Sequence, residues 1–212
     1  MKKKVIELLG SSNYDALSDI PHGKRGILIR HLVSLTYDKA DVLCRRAIKA
    51  IGKLSASMPK ESVRALVQKQ LWMMRDESGG NPWSAPEIIG EIIIHNVESL
   101  PDIIPVLESF HDEEFFRPGV LRALNKIAEA RPELVEPFAD ELSPYINSED
   151  PEVRGNAVAL LGALGLEKYL PSIKKKLSDD AVFSAFKDDI IVKIRIKDAA
   201  YRAIERIKSK NP

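Results

Sequence analysis

Residues 150–164, Asp-Pro-Glu-Val-Arg-Gly-Asn-Ala-Val-Ala-Leu-Leu-Gly-Ala-Leu, read as a helix written for close packing. Asp150 supplies an acceptor for the first free amides, and Pro151 suits the first helical position. Ala157, Leu161 and Leu164 share one face, and Gly162 lets a neighbouring helix approach. The same template recurs upstream. Residues 44–54 place Ala47, Ile51, Gly52 and Leu54 in register, and residues 84–92 place Ala85, Ile89, Gly90 and Ile92. Residues 117–127 match through Arg117, Val120, Leu124 and Ile127, with Asn125 in the glycine slot. The slots fall at 52, 90, 125 and 162, so the steps are 38, 35 and 37 residues. That is the period of a helix pair, and a pair buries its apolar face only by stacking on another.

Partner helices, most of them entered through a proline, are expected between the copies: residues 59–75, 101–110, 132–145 and 170–177, with an earlier partner at 23–35. Near the end the pattern changes. Residues 181–187 and 190–196 are rich in strand formers, and Asp188-Asp189 joins them, which predicts a β-hairpin inserted in the last repeat to cover the open end of the core. The expected fold is therefore all-α: a right-handed α–α superhelix of about five helix pairs. It is read as one domain over 1–212, with 1–22 as an N-terminal cap, the hairpin at 181–196 and a C-terminal helix at 197–209.

Asp150-Pro151, Val153-Arg154, Ala157, Leu161-Gly162 and the segment Leu100-Pro101-Asp102-Ile103-Ile104-Pro105-Val106-Leu107 resemble the HEAT-repeat superfamily, in its bacterial phycobilisome-lyase-like branch. The resemblance covers roughly residue 23 onward. It implies a helical solenoid, while its functional reach spans scaffolds, lyases and DNA-binding members. Some HEAT-like hydroxylases hold iron through repeated His-Glu dyads. The corresponding pair here is Pro86-Glu87, so that site is not expected.

Composition narrows the function classes. Hydrophobic content of 44% and charged content of 30% suit a folded chain, and the net charge of +1 gives no global attraction to nucleic acid. Charge is uneven along the chain. Residues 1–60 carry 12 Lys and Arg against 5 Asp and Glu, residues 61–150 carry 7 against 18, and residues 151–212 carry 13 against 8. An acidic middle third interrupts any basic track for DNA. The single cysteine, Cys44, fits a reducing compartment, and the start of the chain breaks at Glu7 and Gly10 where a secretory signal would continue. No transmembrane stretch is expected, and the location is read as cytoplasmic.

One segment departs from the repeat logic. Residues 72–83 carry Trp72, Arg75, Asp76, Glu77, Ser78, Asn81 and Trp83 around Gly79-Gly80, where a turn of a few residues would serve. As a binding loop, its tryptophans supply contact area and its charges polar anchors. As a structural joint, Ser84 and Glu87 form a capping box, Trp83 packs on Ile88, and Arg75 pairs with Asp76. A second feature is charge on the helices expected to line the concave face. Arg45, Lys49 and Lys53 recur every fourth residue, as do Glu87, Glu91 and His95. They form either a polar groove for a protein segment or a solvated face on which neighbouring helices neutralise each other.

Catalytic signals are sparse. His22, His31, His95 and His111 form no pair at metal-ligand spacing on one helix, Cys44 lacks a base nearby in sequence, and Gly79-Gly80 precedes no phosphate-binding Lys-Ser/Thr. Neither a catalytic residue nor a cofactor or metal site is assigned. The favoured function is a protein-interaction scaffold. The alternative is a DNA-binding HEAT-like protein of the alkylated-base glycosylase type, with Trp72, Trp83 and Asp76 at the lesion. A chromophore-handling role would need an apolar pocket and a nucleophile that the sequence does not display.

Overall fold

The computed structural model describes residues 1–76 and 83–210. The chain forms two compact units, Met1–Pro101 with Phe186–Ile191, and Asp102–Ala185 with Val192–Pro212.

In the first unit, α1 (Lys2–Gly10) and α2 (Asp15–Ser18) bury Val5, Leu9 and Leu17 at the N-terminal end. Then come α3 (Arg25–Val33), α4 (Val42–Ser55), α5 (Lys60–Arg75) and α6 (Ala85–His95). α4 packs on α1, α3 and α6, and α5 packs on α6. The Asp41 carboxylate accepts a hydrogen bond from the Leu43 amide at 2.8 Å and starts α4. Gly52 lies against α6: a Cβ here would stand 2.7 Å from the Glu91 carbonyl oxygen. α6 itself is buried almost all round, with Ile88, Ile89, Ile92 and Ile93 at or below 1% exposure. Its sequence carries apolar residues on every side, as a fully enclosed helix requires.

In the second unit, α7 (Ile103–Glu108) leads through a 3₁₀ turn at Ser109–His111 to α8 (Arg117–Ala130). After α9 (Ala139–Leu142) come α10 (Pro151–Leu164), α11 (Leu170–Lys174), strands β1 (Val182–Lys187) and β2 (Ile190–Arg195), and α12 (Ile196–Lys210). The helix expected over 132–145 is broken. Three 3₁₀ turns, Pro132–Leu134, Glu136–Phe138 and Ser143–Asn147, surround the single turn of α9. Pro137 and Pro144 lack amide hydrogens and would clash with the preceding turn, so a continuous helix cannot pass them. α10 is as the template predicts: Asp150 accepts from the Glu152 amide, Pro151 opens the helix, and Gly165 closes it with φ of 78°. α10 packs on α8 and α12. A Cβ at Gly162 would lie 2.4 Å from the Ala203 Cβ, and one at Gly155 would strike the Phe183 ring.

The hairpin turns at Asp188 and Asp189, both with positive φ, 51° and 61°. Two successive left-handed residues make the tight turn whose twist matches paired strands. Phe183 is the buried strand residue, seated over Gly155. The tip, Phe186–Ile191, belongs to the first unit.

Candidate functional site

Two sets of charged side chains on α4 and α6 take different roles. Arg45 and Glu87 do not line a solvated face: they are 9% and 5% exposed, and the guanidinium donates to Glu87 Oε1 at 3.1 Å. Lys39 reaches the same oxygen at 3.7 Å. Glu91 is buried as well. These positions fall where α4 meets α6, so helical spacing placed them on one face correctly, but that face is a helix–helix contact. Lys53 and His95 remain exposed. Partial burial and the nearby Lys53 charge hold the His95 imidazole below its ordinary pKa.

Lys49 takes a partner absent from the sequence reading. Its ammonium donates to Asp189 Oδ1 at 2.7 Å, and the Tyr14 hydroxyl donates to the same oxygen at 2.6 Å. Lys49 and Lys53 both stand over the Tyr14 ring, 4.9 and 5.0 Å from its centroid. Arg46 donates to the Asp189 carbonyl at 3.0 Å and to the carbonyls of Leu9 and Gly10 at the end of α1. Burial and the adjacent Asp189 carboxylate push the Tyr14 phenol well up, while burial is outweighed at Asp189 by Lys49 and Tyr14, which hold its carboxyl down. Tyr14 and Asp189 are 175 positions apart, a separation that leaves no local signal.

At the joint of α5 and α6, Trp72 is 65% exposed and Trp83 38%. Arg75 ends α5, and the Asp76 amide donates to the Met73 carbonyl. Glu77, Ser78 and Asn81, with Gly79-Gly80, lie outside the described residues. The expected capping box does not form. The Ser84 hydroxyl donates to the Thr36 carbonyl at 2.8 Å, and Glu87 is engaged by Arg45. Buried Cys44 lies 3.6 Å from both the Thr36 carbonyl oxygen and Ser84 Oγ, and burial raises its thiol pKa. That suits a packed residue rather than a nucleophile.

The second unit holds a cluster that the search for histidine pairs missed. Glu108, His111 and Glu141 bring one ligand-type atom each to within 4.8 Å of one another. Glu108 closes α7 and His111 closes the 3₁₀ turn that follows, three positions on, a Glu-x-x-His spacing also used by ligand pairs on helices. Glu141 arrives from α9. Burial, and then the neighbouring Glu141 and Asp112 carboxylates, raise the Glu108 carboxyl to about 7. Nearby, Glu133, Glu136, Pro137, Asp140, Leu166 and Lys168 line a surface pocket of about 520 Å³.

The architecture is a stack of helical repeats. No family model matches the sequence, and no curated protein matches it. Among solved structures, an engineered protein from the Northeast Structural Genomics Consortium aligns over 98% of this chain and 96% of its own, with a TM-score of 0.54 and 17% identity. A designed armadillo repeat protein in complex with the peptide (KR)4 aligns over 96% of this chain and 98% of its own, at 0.50 and 16%. An archaeal HEAT-like repeats protein from Thermococcus onnurineus NA1 covers 99% of this chain and 81% of its own, at 0.43 and 16%. The likeness to the first two is one of fold alone, that of helical repeats. Among the described residues, no helix is long and apolar enough to cross a membrane.

Proposed function

We propose that this repeat protein is a non-catalytic scaffold that holds a protein segment. The observation that carries the reading is the pair of exposed tryptophans, Trp72 and Trp83, flanking residues 77–82. A large aromatic left in water on a rigid helical frame loses little conformational entropy on docking and supplies much contact area. Loops presented by rigid repeats are common recognition elements. The designed armadillo protein of similar fold was captured with a (KR)4 peptide. The acidic excess of residues 61–150 favours a basic segment here too. The 212 residues are read as one functional repeat domain acting in the cytoplasm.

The test is affinity capture with wild type and a Trp72→Ala, Trp83→Ala variant of unchanged melting temperature. Partners retained by wild type and lost by the variant support the reading. Identical capture by both overturns it. A fluorescence titration with duplex DNA at low salt is expected to show no binding; saturable, salt-sensitive binding would instead favour the glycosylase-like alternative.

A further inference from the structure

We propose that Glu108, His111 and Glu141 form a binding site for a divalent transition-metal ion of the zinc type, with a further coordination position left to solvent.

The case begins with hydrogen bonding at His111. The Tyr145 hydroxyl donates its one proton to the His111 carbonyl at 3.2 Å. The same hydroxyl lies 2.8 Å from His111 Nδ1. With its proton on the carbonyl the hydroxyl accepts there, and Asp112 Oδ1 also lies 3.4 Å from Nδ1, so this arrangement fits the tautomer with the ring hydrogen on Nδ1. In the neutral ring Nε2 then offers a lone pair. It faces Glu108 Oε1 at 3.3 Å. That oxygen is buried and receives no hydrogen bond among the described residues, on a residue only 5% exposed. Two groups that both accept have been brought face to face, an arrangement that needs a proton or a metal cation between them.

A cation satisfies both. Ligands held at about 2.1 Å by a tetrahedral ion stand about 3.4 Å apart, close to the 3.3 Å observed. Glu141 supplies a second carboxylate, and one ligand-type atom from each of the three residues lies within 4.8 Å of the others. One imidazole and two carboxylates suit zinc and its neighbours better than calcium or magnesium, which take oxygen ligands. The outer contacts also match a metal site. Tyr145 orients the imidazole through Nδ1, as second partners of ligating histidines do. Arg117 donates to the carbonyls of His111 and Asp112 at 2.8 Å each and fixes the turn. His111 is half-buried and Glu141 exposed, which leaves the ion a route in and room for a water.

The experiment uses the full chain, stripped with chelator and then exposed to zinc alone. Zinc retained after gel filtration is measured by atomic absorption, and cobalt(II) is titrated separately while visible absorption is recorded. One ion per chain is expected, with a cobalt spectrum of low-symmetry, four- or five-coordinate type. Glu108→Gln and Glu141→Gln should each weaken retention at least ten-fold. The exposed Glu141 keeps the test valid if the buried Glu108 variant fails to fold. Retention of no zinc by wild type, or equal retention by wild type and a folded Glu141→Gln chain, overturns the proposal.

Discussion

At the scale of single residues, burial turns a surface pattern into a structural one. Arg45 and Glu87 were legible as members of two charged stripes, but not as a pair, because the i, i+4 spacing says which residues share a face and not what covers it. Their burial sets the expected energetics. Removing Arg45 leaves the Glu87 carboxylate buried with Lys39 still 3.7 Å away, so Arg45→Met should cost about 1–3 kcal/mol in urea unfolding. Arg45→Met with Glu87→Leu should recover most of that loss. A single mutant within experimental error of wild type would show that the pair is solvated. Asp179 offers a second residue-scale test. The Arg154 guanidinium donates to its carboxylate at 2.7 Å and holds its pKa down. A depressed folded-state pKa means that the unfolded chain binds the proton more readily. The contribution is therefore present above the unfolded value and is lost as pH falls through the folded one. Arg154→Met should flatten the acid limb of a stability–pH profile below about pH 4 while lowering stability at pH 7.

At the scale of elements, glycines and turn residues proved the most readable part of the chain. The glycine slots at 52 and 162 do mark close helix approaches, and they differ in what they face. Gly162 meets the backbone and Cβ of Ala203, which cannot rotate aside, so Gly162→Ala should destabilise by about 1–3 kcal/mol in chemical denaturation. No change in midpoint would mean that α12 slides freely on α10. The hairpin was legible from its two alternating runs and the Asp-Asp joint. Asp188 occupies left-handed space, where a β-branched side chain is strained. Asp188→Val should therefore cost about 1–2 kcal/mol, read as a lowered melting temperature, whereas Asp188→Gly should hold or raise it. The helix expected across 132–145 failed on Pro137 and Pro144, whose missing amides outweighed the apolar spacing. The capping box failed because Ser84 had a carbonyl of Thr36 within reach, a partner 48 positions away.

At the scale of the whole molecule, the repeat period carried the fold class, and the long-range polar contacts carried what the period could not. The Lys49–Asp189 contact spans 140 positions, and nothing near either residue announces it. A double-mutant cycle with Lys49→Met and Asp189→Asn should give a coupling of about 0.5–3 kcal/mol. The unfolding data should be fitted to two transitions if the units melt separately. Additive single effects would show that the two charges act independently. The Glu108, His111 and Glu141 cluster was half visible: the Glu-x-x-His spacing is local, but Glu141 enters from another element.

That six-residue hairpin tip also sets a clock. A chain made from its N-terminus at about 5–20 residues per second needs roughly 7–30 seconds to travel from Lys49 to Asp189. Through that interval Tyr14, Arg46 and Lys49 are already synthesised, while the carboxylate and carbonyl that receive them are not. The first unit to emerge from the ribosome therefore stays unfinished long after its own helices have been made. Its final polar contacts wait until most of the second unit has been translated.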